Sequence, residues 1–383
     1  MLIITKKLRI TQRLKVFLTL LFTVVWLLLA SCYTLYPAPS GTAGSSSTTG
    51  GNNTVAQAQP GSNTQGSSPA APVFTPPPPV TGTVVPGDSV AQKLAWLQRS
   101  AESHNTYIVE VSANENIAPQ VLEYRGAINI TVAFRGMGEN RTIRLSTNGT
   151  MFDIRANVTF VLEENITLHG HSQNSGFLVY VNGGIFLMNP GSSIIGNSRT
   201  GVVVSPRGTF EMNGGTISGN TASEGAGVFV SRDIVGKGRF TMRDGTISDN
   251  TATRSGGGVL VGDEFEMIGG TISGNSALYG GGVFIAQNGD FTMRGGTITG
   301  NTAREWGGGV YMEGIYNSRF TKTGGTITGY SSDQTNGNVV RDIDGVLARR
   351  GHAVFSERGE RRRETTAGPG VNLSAGSDAG WEQ

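Results

Sequence analysis

Apolar and polar positions alternate in short bursts through residues 208–330, as in Phe240-Thr241-Met242 and Thr271-Ile272-Ser273. A period of two belongs to strands, not helices. The bursts recur: Phe160, Phe186, Phe210, Phe240, Phe265, Phe291 and Phe320 open successive units 24 to 30 residues apart, the spacing of a solenoid or an array. Each unit reads as three short strands joined by corners. The first corner carries Gly214-Gly215, Asp244-Gly245, Gly269-Gly270, Gly295-Gly296 and Gly324-Gly325, and the second carries runs such as Gly256-Gly257-Gly258 and Gly280-Gly281-Gly282. Glycine takes positive φ without a steric penalty, as a tight corner needs.

Three strands and their corners make one rung of a parallel β-helix. The expected architecture is all-β: a single-stranded right-handed parallel β-helix of about nine rungs between Tyr107 and Phe355, a rod of about 40 Å at the strand spacing. Phe210, Met212, Ile217, Val228 and Val230 are expected inside, with their equivalents stacked above them. Asn220, Asn250, Asn275 and Asn301 follow the second strand at equal offsets and read as a structural ladder of side-chain amides. Leucine-rich and helical repeats lack their framework here, and calcium-binding nonapeptides would need a regular aspartate that Gly257-Gly258-Val259 lacks. The sequence therefore assigns no metal and no cofactor.

Both ends of an open solenoid need covers. Asp88 or Ser89 can cap a helix running to about Ser100, with Val90, Leu94, Leu97 and Ala101 on one face. The chain then divides into a signal segment (1–31), a Gly/Ser/Pro-rich tether without structure (32–87), a capping helix (88–104), the β-helix (105–356) and a C-terminal tail (357–383). The tail's Arg361-Arg362-Arg363 reads as solvated charge.

Composition sharpens the address. Lys6, Lys7, Arg9, Arg13 and Lys15 precede an apolar run from Val16 to Ala30, the layout of a secretory signal. The run ends in Leu29-Ala30-Ser31-Cys32, and Cys32 is the single cysteine of 383 residues. This resembles the lipobox of bacterial lipoproteins, which implies an acylated Cys32 anchored in the lipid bilayer of the cell envelope, with exposure at the outer-membrane surface expected. Without a second cysteine no internal disulfide can form. A net charge of +2 speaks against bulk nucleic-acid binding.

The Gly-Gly-Thr-Ile blocks, with Phe186-Leu187-Met188-Asn189 and Phe210-Glu211-Met212-Asn213, resemble the GGxI and FxxN repeats of polymorphic outer-membrane proteins, which are adhesin-like β-helices. The resemblance covers about residues 128–330. It implies surface presentation and adhesion to a host protein or glycan. Two departures mark the chain: Phe240 to Arg243 lacks the final Asn, and residues 331–383 are not expected to form a translocator barrel.

Three functional readings follow. If Val228 and Val230 face inward, then Tyr180, Val203, Phe229, Leu260, Phe284 and Tyr311 face outward, an apolar binding stripe about 25 Å long at the strand spacing. A polysaccharide lyase or hydrolase is the enzymatic alternative. Its candidate residues, Glu211, Arg243, Asp244, Asp249 and Glu266, are isolated in the repeat, and His169-Gly170-His171 lacks a carboxylate or cysteine partner. The sequence thus favours binding over catalysis. Third, Thr216/Ser218, Thr246/Ser248, Thr271/Ser273, Thr297/Thr299 and Thr326/Thr328 make a hydroxyl array resembling ice-binding β-solenoids, although threonine also simply favours strands.

Overall fold

The computed structural model describes residues 74–232, 236–313, 317–330, 333–347, 352–356, 361–363 and 371–374. Cys32 and the whole signal segment lie outside them.

The described chain is a parallel β-solenoid of about nine turns built on stacked sheets. The first sheet runs from Thr83–Val84 through Thr106–Val111, Ile130–Gly136, Val158–Leu162 and Ile185–Met188 to Arg319–Lys322. The second holds nine strands, Glu115–Ile117 to Thr326–Ile327, and the third runs from Gln120–Leu122 to Val354–Ser356. Equivalent residues pair across rungs without slippage, as in Phe210↔Phe240↔Phe265↔Phe291. Phe210, Met212, Ile217, Val228 and Val230 are all fully buried.

Register turns the interior into columns. The rings of Phe160, Phe186, Phe210, Phe240, Phe265, Phe291 and Phe320 stack at centroid separations of 4.7 to 5.7 Å with interplanar angles of 18° or less. The strand spacing imposes that separation, and stacked aromatic pairs add stability beyond their buried area. Beside the rings, the Met188, Met212, Met242 and Met267 side chains reach toward the glycine corners. A Cβ at Gly270 (φ +80°) would stand 2.6 Å from Met242 Cε and 2.7 Å from Gly245 O, so both conformation and space require glycine there.

The asparagines form a buried ladder. Asn275 Oδ1 accepts from the backbone N–H and the Nδ2 of Asn250 (both 3.0 Å), and Asn301 Oδ1 does the same for Asn275 (3.0 and 2.9 Å). Asn220 donates likewise to Asn250, and the ladder extends beyond the four residues named from sequence, to Asn174 and Asn197 at one end and Asn338 at the other. Each amide sits at the corner after the second sheet and occupies backbone groups that the turn leaves unpaired. The residue before it takes positive φ: Gly219, Gly274 and Gly300, with Asp249 (φ 57°) as the non-glycine member. Aspartate is one of the few side chains that tolerates this region.

Three features depart from the sequence reading. A fourth sheet occupies what reads as a small turn: Thr221–Glu224, Thr251–Ser255, Ser276–Tyr279, Thr302–Trp306 and Val339–Val340. Its buried column is made of small residues, Ala252, Ala277, Ala303 and Val340, which do not announce a strand as phenylalanine or isoleucine does. The segment assigned to the tether is also not free where it is described. Thr83 and Val84 pair with Tyr107 and Ile108. Upstream, Glu163 accepts the Val80 N–H (2.6 Å) while Arg135, itself paired to Glu163, donates to the Val80 carbonyl (2.7 Å). Val80 then packs against Ile108, Ala133 and Val161 on the outside of the first sheet. Finally, the tail is partly strand: Arg361–Arg363 pairs antiparallel with Val354–Ser356, and Val371–Ser374 with Arg319–Lys322.

The N-terminal lid is a helix, α1 (Val90–Ser100), whose N-cap Ser89 accepts from the Gln92 N–H at 3.2 Å. Val90, Leu94 and Leu97 are buried against the first rungs, with Trp96 and Ala101 at the margin. Lys93 is buried too, its ammonium donating to the Glu110 carbonyl.

Candidate functional site

The outward positions of the third sheet form one column, Tyr180↔Val203↔Phe229↔Leu260↔Phe284↔Tyr311↔Phe355. Alternation along each strand places it there, since the neighbours of Phe229 are the core residues Val228 and Val230. The column is not the continuous exposed stripe expected from sequence. Leu260, Phe284 and Tyr311 are at most 8% exposed, and Val203 is buried as well. What covers the lower half is the fourth sheet. Its strands shift register midway, at a bulge, and end on the paired residues Glu224, Ser255, Tyr279 and Trp306, directly before glycines that reverse the chain, Gly280 (φ +62°) and Gly307 (φ +65°) among them. The last side chain of each strand therefore folds back over the third sheet. Tyr279 lies against Tyr311 (5.6 Å) and Trp306 stacks on Phe355 (4.8 Å, 15°), making an outer aromatic cluster separate from the core.

The fourth sheet starts at Thr221–Glu224, in the rung of Phe229, and its terminal aromatics lie over the rung that follows, so Tyr180, Val203 and Phe229 come before its cover. An open cleft of about 770 Å³ results, with Tyr180, Val203 and Phe229 among its lining residues. Tyr180 and Phe229 are half-buried there. From Tyr180 to Phe229 is two strand spacings, about 10 Å. Phe177 extends the aromatic wall, its ring 5.6 Å from that of Tyr180. Polar groups frame it: Asn174, Ser175, Ser198, Thr200, Thr221, Ser223, Ser231 and Thr253.

Two charged residues line the cleft, Arg199 and Glu224. Glu224 is paired with Arg254 at 3.0 Å. Arg199 is held differently: its guanidinium carbon lies 5.0 Å from the centre of the Phe177 ring and Nη1 donates to the Ser175 carbonyl at 2.8 Å. An aromatic face and a backbone carbonyl thus fix its direction. Phe177, Arg199 and Glu224 were not singled out from sequence.

No family model, curated protein or solved structure matches this chain.

Three of the acidic residues considered for catalysis are occupied elsewhere. Glu211 pairs with Arg243 (3.4 Å) and Glu266 with Arg294 (2.5 Å), each across rungs of the first sheet. Asp244 Oδ1 accepts from the Gly245 N–H at 2.7 Å and belongs to its own corner. His169 Nδ1 lies 2.8 Å from the Gly170 carbonyl, and His171 Nδ1 accepts from the Gln173 N–H. Among the described residues no three His, Cys, Asp or Glu side chains converge to hold a metal ion. The threonines of the second sheet do stand in one column, Thr216↔Thr246↔Thr271↔Thr297↔Thr326.

One further carboxylate column, Glu264↔Asp290, faces outward from the first sheet between Arg239 and Arg319. Asp290 Oδ1 is buried without a hydrogen-bond partner. Burial pushes its carboxyl above the usual range, against the opposing pull of Arg319. A carboxyl raised on folding binds its proton more tightly in the native state, so its favourable contribution is complete below the unfolded value and is lost as pH rises through the folded one. Asp290→Asn should therefore melt higher than the wild type at pH 7, with the difference closing toward pH ~4. Melting curves that stay parallel across that range would contradict this assignment.

Proposed function

We propose that this chain is an exported binding module, held in the cell envelope by an acylated Cys32, that takes up a glycan in the cleft over Tyr180, Val203 and Phe229. The cleft is the observation that carries the reading. Large well-formed concavities with apolar walls and a few convergent polar groups are the usual ligand sites. A pyranose ring has one face of C–H groups and an edge of hydroxyls. Phe177, Tyr180 and Phe229 offer aromatic faces to the first, and the serine, threonine and asparagine rim offers partners to the second. A protein ligand of comparable affinity would need a larger flat apolar area, but Tyr279 and Trp306 have already covered the column below the cleft.

The function is binding without turnover in this reading. Glycoside hydrolysis uses two carboxylates about 5 to 9.5 Å apart, and the one carboxylate lining the cleft, Glu224, is neutralised by Arg254. The tethering segment and the lipid-box layout around Cys32 would present the cleft clear of the bilayer surface.

The experiment is a glycan array probed with the full-length protein and with Phe229→Ala. Phe229 is half-buried at the surface, so its removal leaves the core columns intact. Retention of specific oligosaccharides by the wild type and loss of about tenfold or more in Phe229→Ala, the size of one removed aromatic anchor, is the expected result. Equal retention by the two proteins would place the ligand elsewhere.

A further inference from the structure

We propose that the cleft selects glycans bearing carboxylate groups, and that Arg199 is the residue that reads them. The inference rests on the cleft being a glycan site and adds the chemical class of its ligand. Several arginines on the solenoid's outer faces pair with a carboxylate of a neighbouring rung: Arg243 with Glu211, Arg254 with Glu224, Arg294 with Glu266, Arg319 with Asp290. Arg199, the arginine that lines the cleft, is held otherwise. Among the described residues it pairs with no carboxylate, and its contacts are a carbonyl and a ring face. A guanidinium has five N–H donors, and the hydrogen bond to Ser175 O uses one of them.

The arrangement also directs what remains. The Phe177 face supports the guanidinium and Ser175 holds one Nη, so the free edge is pre-oriented rather than swinging with the surface. A planar carboxylate meets such an edge through two parallel charge-assisted hydrogen bonds, which a neutral hydroxyl cannot do. The other charge in the cleft, Glu224, is offset by Arg254, leaving Arg199 to set the local sign. A carboxylated sugar stacked on Tyr180 or Phe229 would find hydroxyl partners on the rim and its counter-ion in Arg199.

The test measures binding of the full-length protein to matched pairs of oligosaccharides with and without their charge. The pairs are oligogalacturonate, alginate and hyaluronan fragments and sialyllactose, each beside its methyl-esterified or carboxyl-reduced form. A sulfated dextran is set beside dextran. Wild type, Arg199→Gln, Arg199→Lys and Phe229→Ala are compared, with thermal melts confirming that each is folded.

At least one acidic member should bind more tightly than its neutral counterpart, with affinity falling as salt is raised. Arg199→Gln should remove that preference, about tenfold or more, the effect of losing a charged hydrogen-bonded pair, while the neutral member is bound as before. Arg199→Lys should restore the preference only in part, and Phe229→Ala should weaken both members alike. Equal binding of the two members of every pair, an equal loss for both in Arg199→Gln, or sulfated dextran bound as well as any carboxylated probe would overturn the assignment and leave the glycan cleft standing. Absence of binding to every glycan, neutral ones included, would instead remove the cleft reading on which it depends.

Discussion

Asn275→Ala should destabilise the solenoid by about 2–6 kcal/mol, through two buried donors orphaned at about 1–3 kcal/mol each. The wild-type Oδ1 accepts two bonds from Asn250, from the backbone N–H and from Nδ2, and the Asn275 Nδ2 reaches Asn301 Oδ1 and the Ile247 carbonyl at 2.9 Å. Truncation at Cβ leaves both Asn250 donors and the Ile247 carbonyl without those partners, in a column whose residues are at most 4% exposed. The loss is asymmetric, since removing one partner of a buried bond costs more than the bond contributes net. Asn275→Asp provides a second arm. It keeps the size and the Oδ1 acceptor but cannot donate, and it places an unpaired charge among the ladder amides, so at neutral pH it should be at least as damaging. Thr271→Ala, one corner away on the solvent side, should change stability by less than about 0.5 kcal/mol. Equilibrium urea denaturation of the three variants is the measurement. A loss below about 1 kcal/mol for Asn275→Ala, within the range of an ordinary exposed hydrogen bond, would mean that water replaces the amide and that the ladder is decoration.

The difference between what the sequence made legible and what it did not follows from where each residue finds its partners. Phe240, Ile272 and Asn275 meet copies of themselves one rung away, so their environment is encoded in the repeat and readable from its period. The alternation in Val228-Phe229-Val230 likewise fixes which side chain points out. It cannot say what lies outside. Whether Phe229 or Tyr311 stays open depends on where the fourth sheet begins, and the buried positions of that sheet are small: it starts in the rung of Phe229, and Tyr279 and Trp306 close the column over the later rungs. The strap at Val80 was hidden for the same reason. Proline-rich composition marks chain that cannot build a core, but it does not forbid docking on one already built, and the Arg135–Glu163 pair that grips Val80 is assembled from two rungs. Arg199 is the extreme case, because the ring face and the carbonyl that hold it at the cleft are not written in the repeat.

Phe240→Ala tests the other column, and its effect should be large and uneven along the chain. The ring sits between Phe210 and Phe265 at 4.7 Å on either side, within 6° of parallel, and it is fully buried. Its truncation should cost about 3–5 kcal/mol, combining lost transfer energy with a cavity that rigidly paired strands on both sides cannot collapse. Phe240→Leu, which fills most of that space, should cost less than half as much by the same reasoning. In a solenoid each rung contacts only its neighbours, so stability is a sum of rung and interface contributions. The damage should therefore concentrate in the strands Thr209–Met212, Arg239–Met242 and Glu264–Met267. Hydrogen exchange should show protection falling there first, while α1 and the first rungs around Phe134, whose rings meet edge to face rather than in the stack, keep theirs. Uniform loss of protection from α1 to Val354 would mean that the rod unfolds as one cooperative unit. The phenylalanine column would then act as a single structural element and not as a series of separable contacts.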